Sequence, residues 1–572
     1  MKKYLKSHVL ILAVGIAIML LAIFAELLGL DNDPGWGRGR KLLLVIGFAT
    51  IVFSYILFKH SSMLSSKLKG FCSFMSPQVK SFVVYISRII RDYWQTLIPF
   101  LLVVMIYIWF GSSGTWTTWT SPTRYYAKLA ESFEIGELYL LEEPDQNLLM
   151  LSNPYDPLAR KNTKAPTDYS LYKEKFYLYW GPVPALFLTI INPFIDGRIG
   201  DLQIAFGFLC GIFLSQYLLI ILIWHQYFKN LPKWILILSI LLIGLSSPTT
   251  FALSIEPNGR IYEAAIAGGQ FFLLSGLFIA YTTLRNNSDT PMLPLIIAGT
   301  LWALSIGTRL VLIVPIGFLM LSSFQRIFSI HRSFPKIMIT KMFLMGLPVA
   351  LCIVALASYN WARFGSITET GFSYALASVN LKAHANDIFS PVYISQNLYN
   401  YLLAPLNIDT LFPFLHANDG IKAAILSQHN LPEVYSTQTA AGLIYIEPFI
   451  LFAVIVIVPF FRQRFKNKHI TYFSGDANQT SINWIIISLG GSFILPFALL
   501  LIFFWMGLRY TADFMPSLII LSTLGFWQGY QLLQSNHTQR ILFSVFGITI
   551  ACISIIANIL LPLSINGVQF FF

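Results

Sequence analysis

"LPLIIAGTLWALSIGTRLVLIVPIGFLMLSS" runs from Leu293 to Ser323 and carries a single charge, Arg309. At 1.5 Å per residue it would measure about 46 Å as one helix, against a bilayer core of about 30 Å. It is therefore an over-long helix or two short ones parted at Gly307-Thr308-Arg309, and in either form it belongs in lipid. Apolar runs recur near 8–30, 42–58, 95–111, 179–195, 202–226, 234–253, 264–284, 342–359, 444–462, 483–505, 514–533 and 541–562. Of the 572 residues 56% are hydrophobic and 11% charged, against about 25% charged in soluble domains. The runs lack the alternation of barrel strands, and helices are the other way to satisfy a backbone in lipid. The expectation is an all-α polytopic membrane protein with about 12–14 transmembrane helices and two large extracytoplasmic loops.

Net charge is +12, but Lys and Arg sit in short loops between apolar runs, which reads as topology and contact with anionic lipid rather than nucleic acid. Lys2, Lys3 and Lys6 place the N-terminus inside, and the opening apolar stretch is too long for a cleaved leader. Basic loops at 59–94, 324–341 and 462–468 lie on the same side. The polar stretches 112–178 and 360–443 then lie outside. Residues 1–94 form an N-terminal two-helix segment with its basic loop, 95–359 a membrane core containing the first outer loop, 360–443 the second outer loop, and 444–572 the C-terminal helices. Two helix counts satisfy the fixed loops. The favoured one makes 179–195 re-entrant or lays it along the surface, splits 293–323, and puts "IEPNGRIYE" (255–263) outside. Of the four cysteines three lie in apolar runs and one in a basic loop, so no disulfide framework is expected.

Under this count ionisable residues from distant parts of the chain gather on the outer face. Asp156, Arg160 and Asp168 come from the first loop. Glu256, Arg260 and Glu263 come from the middle turn, Arg363 from "YNWARFGS", and Arg509 and Asp513 from "RYTADF". Charges beside a bilayer are costly and often functional, although most loop charges are simply solvated. Arg260, Glu263, Arg309, Arg509 and Asp513 each abut an apolar run, where ion pairing for stability competes with a functional role. The aromatics between Trp116 and Trp180 suit sugar stacking, and suit an interfacial belt better. No zinc spacing, phosphate loop, dinucleotide fingerprint or nucleophile elbow occurs.

"SPTRYYAKLAESFEIGELYL", then "GPVPALFL", then "SSPTTFALSIEPNGRIYEAA" give an order of elements that resembles the C-type integral-membrane glycosyltransferases over residues 95–320. "YNWARFGS" and "RYTADFMP" resemble a bacterial subfamily. The resemblance implies a bacterial cytoplasmic membrane and a polyprenyl-phosphate sugar donor met on the outer face. The sugar would pass to a glycan, lipid or protein acceptor. That family carries an Asp just before the "YY", where this chain has Pro122, Thr123 and Arg124. Asp168 and Asp156 are the replacement candidates, and Glu263 stands where the family's second acid follows the "SP" turn. Arg260, Arg509 and Arg160 are candidates for the donor phosphate, with Asp513, Glu256, Arg309 and Arg363 as further site residues. No cofactor or metal is called for, though a divalent metal is compatible. Oligomeric state is open. The alternatives are a non-enzymatic transporter of lipid-linked glycan and a structural protein of envelope assembly.

Overall fold

The structure, a computed structural model, describes residues 92–117, 119, 121–194, 199–246, 252–253, 261–285, 290–332, 334–420, 431–456 and 476–565, with scattered positions between 14 and 50. Two compact units are present. The smaller comprises Met1–Ile98, Val104–Thr120 and Val568–Phe572, and the larger Pro99–Val103 and Ser121–Gly567. Most of the apolar runs 8–30 and 42–58, and nearly all of the basic loop 59–94, lie outside the described residues. Helix α1 (Leu97–Gly111) follows a 3₁₀ turn at Trp94–Thr96 and belongs to the smaller unit except for Pro99–Val103, which belong to the larger. Trp119 lies over Gly111, where a Cβ would collide with its indole.

The larger unit holds α2 (Tyr125–Glu134), α3 (Val183–Ile191), α4 (Asp201–Ile223), α5 (Lys233–Gly244), α6 (Ile261–Leu284), α7 (Met292–Thr308), α8 (Ile313–His331), α9 (Pro335–Phe364), α10 (Ile394–Leu402), α11 (Asp476–Leu501), α12 (Met515–Leu532) and α13 (His537–Ile565). Among the described residues seven helices are long and apolar enough to cross a membrane, and α5 and α7 are shorter apolar helices. The protein is an integral, polytopic, helical membrane protein. Helix α6 is the central post, buried on nearly every side. Its run Ala264-Ala265-Ile266-Ala267-Gly268-Gly269 lets α4 and α7 approach closely, as small residues do between membrane helices. Helix α9 is the opposite case. It packs on α7, where Gly299 meets the Met345 backbone, while Ile339, Phe343, Leu351 and Val354 point outward from the protein.

The 293–323 run is divided. Helix α7 ends at Thr308, Arg309 is extended (φ −144°, ψ 102°), and a 3₁₀ turn at Leu310–Leu312 leads into α8. The break has a cause on each side of it. Gly181 lies so close to the Gly307 carbonyl that a Cβ would overlap it, and the Arg309 side chain leaves the helix axis to reach Asp513.

The first polar stretch is folded rather than loose. A two-stranded hairpin pairs β1 (Ser170–Tyr172) with β2 (Lys175–Tyr177). Its two turn residues, Lys173 and Glu174, are both left-handed (φ 48° and 59°), the geometry that hairpin twist demands and that Asn-Gly usually supplies. Tyr126, Leu129, Leu140, Tyr169, Leu171, Phe176 and Trp180 form its core together with Ile261 and Ala264 of α6. Asp201, the first residue of α4, caps α2 from outside. Its carboxylate accepts from the backbone N–H groups of Tyr125 (2.9 Å) and Tyr126 (3.1 Å). The second polar stretch holds α10 and the short strand β3 (Ser436–Thr437), which pairs in parallel with β4 (Trp505–Met506) beyond α11.

Candidate functional site

Within the larger unit the ends of these elements surround a cavity of about 840 Å³. One pole is built on Asp168. Its backbone is left-handed (φ 63°), a conformation that Asp tolerates better than most residues. The neighbouring Tyr169 fixes it there. Tyr169 is fully buried, its hydroxyl donates to Glu142 Oε2 (2.9 Å) and accepts from Lys128 Nζ (3.0 Å), and its carbonyl accepts from Leu376 N–H (2.7 Å). The Asp168 side chain is asymmetrically satisfied. Tyr262 donates to Oδ1 at 2.9 Å and Tyr179 reaches the same oxygen at 3.5 Å, with the two phenol oxygens 3.0 Å apart. Among the described residues nothing donates to Oδ2. Burial pushes this carboxyl above its usual range, and the Tyr262 bond, the Arg509 charge and the Tyr179 contact pull it partly back.

The other pole is ionic. Arg309 grips Asp513 in a bidentate pair, Nε to Oδ1 at 2.7 Å and Nη2 to Oδ2 at 2.5 Å, with both side chains almost wholly enclosed. Gln270 of α6 donates to the Asp513 carbonyl at 2.6 Å. Arg509 lies on the 3₁₀ turn Leu508–Asp513, just after β4. Its Nη2 donates to Gln438 Oε1 at 2.9 Å, its Nη1 lies 3.7 Å from Glu263 Oε1, and its guanidinium lies 5.0 Å from the centre of the Tyr262 ring. The β3–β4 pairing brings Gln438 to it. Glu263, in the first turn of α6, is buried behind Arg509 and lines a small separate void rather than the cavity.

Between the poles the wall is aromatic, with Tyr125, Trp180, Phe372 and Tyr510. Tyr179 stacks on Trp180 at 3.9 Å. A third side is aliphatic: Leu310 and Val311 at the head of α8 face Pro496, Leu499 and Leu500 near the end of α11. Leu310 and Val311 are partly exposed, and the residues of this wall belong to two helical segments long and apolar enough to cross a membrane, Leu310–His331 and Gln479–Leu501.

The sequence candidates thus divide. Asp168, Arg309, Arg509 and Asp513 line one cavity, with Glu263 directly behind it. Asp156 does not line it; its carboxylate accepts from Leu158 N–H in a local turn. Arg160 donates to the Ala377 carbonyl, and burial lowers its pKa. Arg363 ties the end of α9 to the hairpin through the Leu178 carbonyl (2.7 Å) and lies 3.8 Å from the Tyr359 ring centre. Arg260 and Glu256 lie outside the described residues. Sequence reasoning passed over Tyr262 and Gln438, read Tyr179 as belt, and missed Asp201. The signal for Asp201 was present: a Gly-Asp pair opening an apolar run is a helix start. Among the described residues no group of three His, Cys, Asp or Glu side chains is placed to hold a metal.

Comparison with known proteins returns two solved structures. The crystal structure of the Archaeoglobus fulgidus oligosaccharyltransferase in the apo form aligns at 11% identity and a TM-score of 0.40. The archaeal oligosaccharyltransferase AglB from Archaeoglobus fulgidus, in complex with an inhibitory peptide and a dolichol-phosphate, aligns at 12% identity and a TM-score of 0.42. Each alignment covers 83% of this chain and 56% of the other, so the chain spans little more than half the length of those proteins. No family model matches the chain, and no curated protein does.

Proposed function

We propose that the protein is a membrane glycosyltransferase that takes a sugar from a polyprenyl-phosphate donor and passes it to an acceptor hydroxyl at the outer membrane surface. One observation carries this reading: a single cavity combines a carboxylate with one oxygen open among the described residues, a held guanidinium and an aliphatic wall drawn from two membrane-length helical segments. A donor with an apolar tail and an anionic head matches that division. The tail lies along Leu310, Val311 and Leu500, and the phosphate meets Arg509, whose planar fork suits bidentate contact. Asp168 Oδ2 takes the acceptor proton as the acceptor oxygen bonds to the anomeric carbon. The bond from that carbon to the phosphate oxygen breaks, and the electron pair leaves with the phosphate. Arg309–Asp513 is charge-neutral as a unit and frames the site. Glu263 is the carboxylate that neutralises Arg509 between turnovers.

The test is transfer by purified protein. The full chain in detergent is incubated with a panel of polyprenyl-phosphate sugars and an envelope fraction as acceptor, and release of polyprenyl phosphate is followed by mass spectrometry. Release that depends on both protein and acceptor supports the reading. Donor binding without release in any combination favours a carrier of lipid-linked glycan instead.

A further inference from the structure

Asp168 differs from the other carboxylates of the site in how it is held. Among the described residues it meets no arginine directly. Its anchor is a chain of two phenols. A phenol has one proton to give, and Tyr262 gives it to Oδ1 at 2.9 Å. Tyr179 lies 3.0 Å from the Tyr262 oxygen and 3.5 Å from Oδ1, so the shorter path runs from Tyr179 to Tyr262 to Asp168. Bonds in such a chain polarise one another. The phenols come from separate elements, Tyr262 from the first turn of α6 and Tyr179 from the segment after β2. Both rings are fixed by Trp180, which stacks on Tyr179 and meets Tyr262 edge-on at 5.2 Å.

We propose that Tyr262, braced by Tyr179, is the positioning residue for Asp168: the pair holds Oδ1 and leaves Oδ2 as the oxygen that takes a proton from a bound hydroxyl. The role of Oδ2 rests on the transferase reading, while the phenol anchor does not. Among the described residues the charged and titratable groups that face Asp168 are Tyr125 on α2, Tyr179, Tyr262, and Arg509 and Tyr510 on the 3₁₀ turn. Arg509 lies over the Tyr262 ring, so the same phenol touches the proposed phosphate site and the proposed base.

The anchor is measurable without any donor. Dicyclohexylcarbodiimide enters apolar sites and reacts with the protonated carboxyl. The acid proton moves to a carbodiimide nitrogen, the carboxyl oxygen bonds to the central carbon, and the adduct rearranges to a stable N-acylurea. Labelling at residue 168 in the purified full chain is read by peptide mass spectrometry across pH, with Asp168→Asn as the blank. Both phenol bonds favour the charged carboxylate, so their loss raises the labelling midpoint. Tyr262→Phe is expected to move it up by about one pH unit, the size of one hydrogen bond to a charged group. Tyr179→Phe is expected to move it the same way by less. An unmoved or lowered midpoint in Tyr262→Phe overturns the proposal. If that variant does not elute as a folded species, Tyr179→Phe decides: an upward shift supports the anchor and no shift overturns it. If the midpoints move as stated while Asp168→Asn still transfers sugar, the transferase role of Asp168 falls and the phenol anchor stands.

Discussion

Asp513 and Asp168 share a cavity and have opposite surroundings. Asp513 has both oxygens taken by one guanidinium, whereas Asp168 has one oxygen held by phenols and, among the described residues, the other open. A carboxylate saturated by arginine in a buried setting is a strut, and its charge is spent on its partner. A carboxylate that burial disfavours, and that neutral donors hold with a guanidinium only at a distance, keeps an oxygen ready to receive a proton. Two acids of the same type thereby acquire different work from their neighbours alone.

The largest effect should fall on the strut. Breaking a buried pair strands the surviving charge at a cost of about 3–5 kcal/mol, so Arg309→Met or Asp513→Asn alone should sharply lower thermal stability in detergent. The double variant Arg309→Met with Asp513→Leu should recover much of it. If the single variants melt with the parent, the two poles do not differ as described. Arg509→Lys keeps the charge beside Glu263 and loses the fork. A loss of about 1.4 kcal/mol is tenfold in affinity, and KM for donor should rise on that order with kcat less affected. An unchanged KM would remove Arg509 from phosphate binding.

Asp168 also sets a pH dependence. A base must be deprotonated to act, and burial raises this carboxyl above the ordinary carboxylate range. Activity should therefore fall on acidification at a higher pH than an exposed aspartate would give, and an acid limb at the ordinary value would argue for a solvated base. The smallest effect belongs to Asp156. Asn can replace Asp in its local turn, so Asp156→Asn should stay within about 0.5 kcal/mol of the parent in stability and should transfer normally. Loss of transfer there would move the chemistry to the exposed part of the loop.

Much of the membrane scaffold was legible because apolar runs of bilayer length leave few alternatives. The break at Arg309 was visible as a charge in the middle of an over-long run. The hairpin was not, because Lys173-Glu174 has neither Gly nor Asn and takes its left-handed turn from the packing around it. Arg509 stood out as a charge beside an apolar run, and Asp168 as a first-loop acid in place of the Asp missing before the "YY". What spacing could not show was partnership. Arg309 and Asp513 are joined across more than two hundred residues, and Tyr262 reaches Asp168 across more than ninety. Phenols carry no charge at neutral pH, so a search guided by charge passed over Tyr262 and read Tyr179 as part of an interfacial belt. Asp201 was missed for a related reason: it serves another helix, not its own.

The account rests on Asp168 as the proton acceptor, and the most direct measurement is single-turnover transfer by Asp168→Asn beside the parent, with donor binding measured on the same preparations. Asn keeps the size, tolerates the left-handed backbone and retains an oxygen for Tyr262, while losing the basic carboxylate. The expected result is unchanged donor affinity with transfer reduced by about 10²- to 10⁴-fold, the usual worth of a positioned acid–base group. Transfer at the parent rate with normal donor binding would contradict the account and leave Asp168 as a residue that only shapes the cavity.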